Sequence, residues 1–151
     1  MLFRLGRAVG CNLLIVDNHE RAIDKFNQWV STTPLDVEAY GCVDNFQSHP
    51  HRADLVLGLA LVPHLAISQQ YEFDYIARRF AEMSSRALIT EFMPNGFGTE
   101  KKQPDPLPAY YNLDSFIAEL KMFFSRVDIV NYDRPEHFSP RVLIFCDGRF
   151  E

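Results

Sequence analysis

The order of apolar and polar positions divides the chain into strand-like and helix-like segments. The longest nearly continuous apolar stretch is residues 53–65, Ala-Asp-Leu-Val-Leu-Gly-Leu-Ala-Leu-Val-Pro-His-Leu, which opens around Asp54 and stops at Pro63-His64. A short run apolar on both faces reads as a strand buried in a parallel sheet. Proline, with no N–H to donate, then ends the ladder. Residues 12–16, closed by Asp17, residues 37–43, closed by Asp44, and residues 87–92, ended by Pro94-Asn95-Gly96, read as further strands. Residues 19–30 place Ala22, Ile23, Phe26, Trp29 and Val30 on one helical face, and residues 72–83 do the same with Phe73, Ile76, Ala77 and Phe80. Asn112 can cap a third helix with Leu113, Phe116, Ile117, Leu120, Phe123 and Phe124 on its apolar face. Residues 2–9 read as the end of a helix that Gly10 stops.

Polar punctuation fills in the rest. Residues 45–52 contain Pro50 and form a loop, and residues 97–109, with three prolines, two lysines and two acids, form a long irregular loop suited to a lid. Two last strands are expected at residues 127–132 and 141–146. The segment between them, 133–140, is too short for a crossover helix, so they should be antiparallel neighbours. Strands alternating with helices predict an α/β fold with a doubly wound sheet, mostly parallel, ending in an antiparallel hairpin. Ligands bind outside the carboxyl ends of such strands, which puts Leu61 to Leu65 on the rim of a site.

Composition narrows the function classes. A chain of 151 residues suits one domain over residues 1–151. A net charge of −5 without a basic run argues against a nucleic-acid partner. No apolar stretch is long enough to span a bilayer, and the start lacks the apolar core of a signal peptide. Cys11, Cys42 and Cys146 are odd in number and widely spaced, which fits reduced thiols in the cytoplasm, not a disulfide frame or a zinc site. His49 and His51 around Pro50 lack an acidic or thiol partner near them in sequence and read as a solvated loop.

From about residue 12 to residue 145 the sequence resembles class I S-adenosylmethionine-dependent methyltransferases, and within them the nodulation-protein-type bacterial enzymes. Leu13-Leu-Ile-Val-Asp17-Asn18 looks like the family's second strand, residues 54–65 like the fourth and the rim beside the transferred methyl, Ala87-Leu-Ile-Thr-Glu91-Phe-Met-Pro94 like the fifth, and Arg141-Val-Leu-Ile-Phe-Cys146 like the last. The resemblance implies a Rossmann-like sheet ordered 3-2-1-4-5-7-6 in the family's own count. It also implies S-adenosylmethionine as cofactor and a small-molecule or oligosaccharide-like acceptor. One departure stands out. The family's first strand and glycine-rich loop have no counterpart, since Gly6 and Gly10 lie too close to Asp17 for a helix to fit between. The fold is therefore expected to be N-terminally truncated. Residues 12–17 and 53–60 should then pair directly or have the gap between them filled. Open strand edges suggest a homo-oligomer or a completing partner chain.

The resemblance assigns Asp17 and Asn18 to the ribose hydroxyls, Asp44 and Asn45 to the adenine, and Leu61 to the methyl channel. Asp17 can equally cap the helix that follows, and Asp44 can be a turn residue. His64 can draw a proton from an acceptor hydroxyl or amine, or simply satisfy backbone. Glu91 and Asn95 can face an acceptor at the same rim, or Glu91 can pair with a nearby arginine. No metal site is expected. A chain that keeps the fold without catalysis, as a binding or oligomerisation subunit, is the alternative reading.

Overall fold

The computed structural model describes residues 11–97, 106–130 and 140–150. The expected helix end at residues 2–9 with its Gly10 stop, most of the loop at 97–109 and most of the segment 133–140 lie outside them. The chain divides into two compact units, Met1–His49 and Pro50–Glu151.

The first unit is a strand–helix–strand crossover. β1 (Leu13–Asp17) and β2 (Ala39–Val43) run parallel, in register from Leu13 opposite Ala39 to Asp17 opposite Val43. α1 (Glu20–Thr32) connects them and buries Ile23. His19 caps it, its Nδ1 accepting the N–H of Ala22 at 3.3 Å. The Asn27 side chain of α1 clamps β2: it accepts the N–H of Gly41 at 2.8 Å and donates to the Gly41 carbonyl at 3.0 Å. A Cβ at Gly41 would lie 2.9 Å from both Asn27 Oδ1 and Phe26 Cδ1, so only glycine lets helix and strand approach this closely.

The second unit is a four-stranded sheet in the order β3-β4-β6-β5, built from β3 (Ala53–Gly58), β4 (Ser84–Phe92), β5 (Phe124–Val130) and β6 (Val142–Arg149). β3 and β4 are parallel, while β6 runs antiparallel to both β4 and β5. α2 (Phe73–Met83) and α3 (Leu113–Lys121) pack together. Their buried Phe73, Ile76, Phe80, Phe116 and Leu120 join Leu88, Phe92, Phe124 and Ile144 of the sheet in the core. Each such side chain contributes about 1.5–3 kcal/mol through its removal from water. Phe92 stacks on Tyr111 with centroids 5.0 Å apart, and the Tyr111 hydroxyl, which burial pushes well above the usual phenol range, donates to the Met93 carbonyl at 3.1 Å. Asn112 caps α3 as the sequence predicts, its Oδ1 accepting the Ser115 N–H at 2.8 Å.

Four expectations change. β3 ends at Gly58, not at Pro63, because the chain turns at Ala60 in the left-handed region (φ 55°) and Pro63 (φ −64°) then opens a helical segment. β3 is not buried on both faces either: Ala53 to Leu55 are exposed, as befits a strand that pairs with β4 alone among the described residues. β5 starts at Phe124, which the helical pattern had claimed for α3. The sheet of the second unit is mixed, and the described pairings are two parallel and two antiparallel, so a mostly parallel sheet is not what they show. Among the described residues β1 pairs with β2 and β3 with β4.

Candidate functional site

In the first unit the parallel register brings two acids to the carboxyl end of one strand pair. Asp17 ends β1, Asp44 follows β2, and the Asp44 N–H donates to the Asp17 carbonyl at 3.2 Å. Asp17 Oδ1 accepts the His19 N–H at 2.8 Å, which ties the carboxylate to the start of α1. Asp17 is exposed, and its second oxygen has no partner among the described residues, as expected of a group able to take a ligand hydroxyl. Asn18 beside it is exposed.

Asp44 is more fully committed. Its Oδ1 accepts the Asn45 N–H at 2.8 Å and the Ser48 hydroxyl at 3.2 Å, and its Oδ2 lies 3.0 Å from His49 Nδ1. The Asn45 N–H, and after it His49, hold the Asp44 carboxyl below the ordinary range. Asn45 Oδ1 lies 3.0 Å from the Ser48 N and 2.9 Å from the Ser48 hydroxyl. Asp44 and Asn45 thus build a tight turn that seats His49, which is buried at 7% exposure. That corrects the solvated-loop expectation for His49. The signal was in the sequence, in an Asp-Asn pair four and five residues ahead of the histidine, able to take its ring and fold the chain back.

In the second unit the carboxyl ends of β3 and β4 are tied side to side. Thr90 Oγ1 donates to the Gly58 carbonyl at 3.0 Å. Glu91 Oε2 accepts the Ala60 N–H at 3.0 Å and the Arg141 Nη1 at 2.7 Å. Glu91 is 4% exposed. Its carboxylate is therefore turned inward and holds the backbone that starts the rim. The ion pair is the arginine alternative that the sequence offered for Glu91. Neither Arg141 nor Ala60 carries a sequence signal for this role, because a contact across 31 or 50 residues leaves no local pattern.

The rim then runs through half-buried Leu61, buried Val62 and Pro63, and a single π-helical turn, His64–Ser68, that buries Leu65 and Ala66. Such turns occur often at functional sites. His64 itself is exposed, with its ring 4.7 Å from that of Phe97 at 59°. Phe97 closes the turn that also carries exposed Asn95 and buried Gly96. A Cβ at Gly96 (φ 53°) would come 2.7 Å from Ile67 Cδ1, so the two turns are packed together. The structure thus brings His64 and Phe97 together, with Asn95 two residues before Phe97 in the same turn. The sequence pattern places Phe97 at the start of an irregular loop, with no signal for a ring contact.

No protein-family model matches the chain, and no curated sequence does. Solved structures do match in fold. The N-methyltransferase NodS from Bradyrhizobium japonicum WM9, in complex with S-adenosyl-L-homocysteine, superposes over 91% of this chain and 66% of its own with a TM-score of 0.62 at 13% identity. Magnesium protoporphyrin IX methyltransferase (ChlM) from Synechocystis PCC 6803, with the same molecule bound, superposes over 97% of this chain and 80% of its own (TM-score 0.60, 12% identity). A possible exported protein from Bordetella parapertussis matches over 91% of this chain (TM-score 0.61, 14% identity), of which the chain spans 53%. The fold is that of class I S-adenosylmethionine-dependent methyltransferases. No helix among the described residues is long and apolar enough to cross a membrane.

Proposed function

We propose that the chain is a methyltransferase-type domain that binds S-adenosylmethionine and serves methyl transfer to a small-molecule or oligosaccharide-like acceptor. The observation that carries this reading is Asp17: an exposed carboxylate at the carboxyl end of a parallel strand, one oxygen fixed by α1 and the other open, in a methyltransferase fold. A carboxylate so placed fits a ribose hydroxyl. In the first unit, Asp17 with Asn18 holds the ribose. Asp44 with Asn45 shapes the turn beside it, and Asp44 Oδ2 keeps one lone pair for the adenine side. In the second unit, taken by itself, His64 takes the proton from an acceptor hydroxyl or amine onto its exposed imidazole, and Asn95 offers an amide to the acceptor. Glu91 fixes the rim from beneath. The cofactor, when bound, supplies an electrophilic methyl on sulfur. The chain's residues supply placement, which accounts for most of what such a reaction asks of a protein.

Calorimetry on the chain tests the reading. S-adenosylmethionine should bind, and Asp17→Ala should abolish most of the ribose contribution to that binding. Equal binding by wild type and Asp17→Ala overturns the site.

A second reading is favoured by a separate observation. β1 pairs with β2 alone, and β3 with β4 alone, among the described residues, and Leu14, Val16 and Leu55 on these strands are 36–44% exposed. In this reading the chain is a non-catalytic subunit whose strands are completed by a second copy or another chain. Absence of any cofactor binding, together with a stable dimer by light scattering, would select it.

A further inference from the structure

We propose a second binding site, for a phosphate monoester carried on a planar aromatic body, at the amino end of the sheet in the second unit. A cavity of about 360 Å³ is lined there by Arg52, Ser85, Arg149 and Phe150. Arg52 precedes β3, Ser85 lies at the start of β4, and Arg149 ends β6 against the start of β5, where it is opposite Phe124. All four residues therefore sit at the opposite end of the strands from Gly58, Glu91 and the rim, and the site does not depend on the methyltransferase reading.

Three features make this more than a basic surface. Arg149 and Phe150 are consecutive, yet both line the cavity. Side chains along a regular strand alternate between faces. The backbone breaks that alternation here: Gly148 is left-handed (φ 65°), β6 stops at Arg149, and the Phe150 N–H turns to the Phe123 carbonyl at 2.9 Å. Arg52 is anchored, its Nη2 donating to the Ser84 carbonyl at 3.3 Å. Among the described residues that line it, the cavity also holds two guanidinium groups and no carboxylate, in a chain of net charge −5. Asp54, two residues after Arg52, is engaged by the Ser85 hydroxyl at 2.9 Å, which also lies 3.1 Å from the Ala53 carbonyl. Ser85 is thus a wall whose donor is already used, and the arginines are the anion's donors.

Two guanidinium forks suit a doubly charged phosphate, which accepts paired hydrogen bonds from each. Phe150, 52% exposed, offers a flat apolar face to the body that carries it.

The probe is phenyl phosphate, titrated into the full chain and followed by amide chemical shifts, beside inorganic phosphate and phenol. Phenyl phosphate should saturably shift the amides of Ser85, Arg149 and Phe150, and inorganic phosphate should do so more weakly. Arg52→Gln and Arg149→Gln should each lower the affinity about tenfold. Arg86→Gln, an exposed arginine on β4 outside the cavity, should leave it unchanged. Phe150→Leu should weaken phenyl phosphate and spare inorganic phosphate, which separates the aromatic from the anionic contribution. No saturable shift at millimolar phenyl phosphate overturns the proposal. So does an Arg86→Gln loss as large as the others, or phenol binding as well as its phosphate.

Discussion

Glu91 carries two partners on one oxygen, the Ala60 N–H and the Arg141 guanidinium. Removing it leaves a part-buried amide and a part-buried cation unmatched. Glu91→Ala should cost about 2–3 kcal/mol, read as a lowered urea midpoint, and Glu91→Gln less, because an amide oxygen still accepts from Ala60. The cysteines separate by environment. Cys146 is fully buried, and burial, with Asp128 nearby, pushes its thiol up to about 12, whereas Cys11 is exposed. At about pH 8 a thiol reagent should label Cys11 readily and reach Cys146 only after denaturation, since the thiolate is the reactive form. Asp44 titrates lower in the folded chain than its ordinary 3.8. Its contribution to stability is therefore present above that value and lost as pH falls below it. Asp44→Asn should flatten the acid limb of thermal melts taken from about pH 6 to about pH 2.

At the scale of elements, the sequence pattern located all six described strands and the three longer helices; it started β4 three residues late and ended β6 three residues early, and two further boundary misses share one reason. Leu59 to Val62 continue the apolar run of β3 but serve to pack a turn. Likewise Phe123 and Phe124 continue the apolar stripe of α3 across the start of β5. Apolar character reports burial, and burial does not say which backbone delivers it. Capping was legible at Asn112 because its hydrogen bond spans three residues, and Asn112→Ala should lose about 1 kcal/mol of thermal stability. The strand-end acids were legible as positions. Their partners were less so: the Glu91 bonds close over distances that a linear reading does not cover, while those of Asp44 needed the turn chemistry of a short polar loop. Gly58 shows how tightly α2 lies on β3. A Cβ there would meet the Phe80 ring at 2.6 Å, so Gly58→Ala should cost about 1–3 kcal/mol of overpacking in a denaturant curve.

At the scale of the molecule, strand edges govern what the chain can join. β1 has one described neighbour, β2, and Leu14 and Val16 beside that boundary are exposed. Edges of this kind recruit other chains, and the purified protein is expected to be at least dimeric by light scattering. A monomer that persists on dilution would count against this. On the other strand of the pair, the side-chain amide of Asn27 occupies both main-chain groups of Gly41, much as a neighbouring strand would. β2 therefore has nothing to offer a newcomer at that position. At Gly41, then, strand addition on the β2 side is blocked, and an assembly that grows only from the β1 side stops once that single valence is filled. Asn27→Ala would free the second valence. Soluble, self-limiting pairs should then give way to open-ended fibrils, seen as a rise in thioflavin fluorescence that the parent chain lacks.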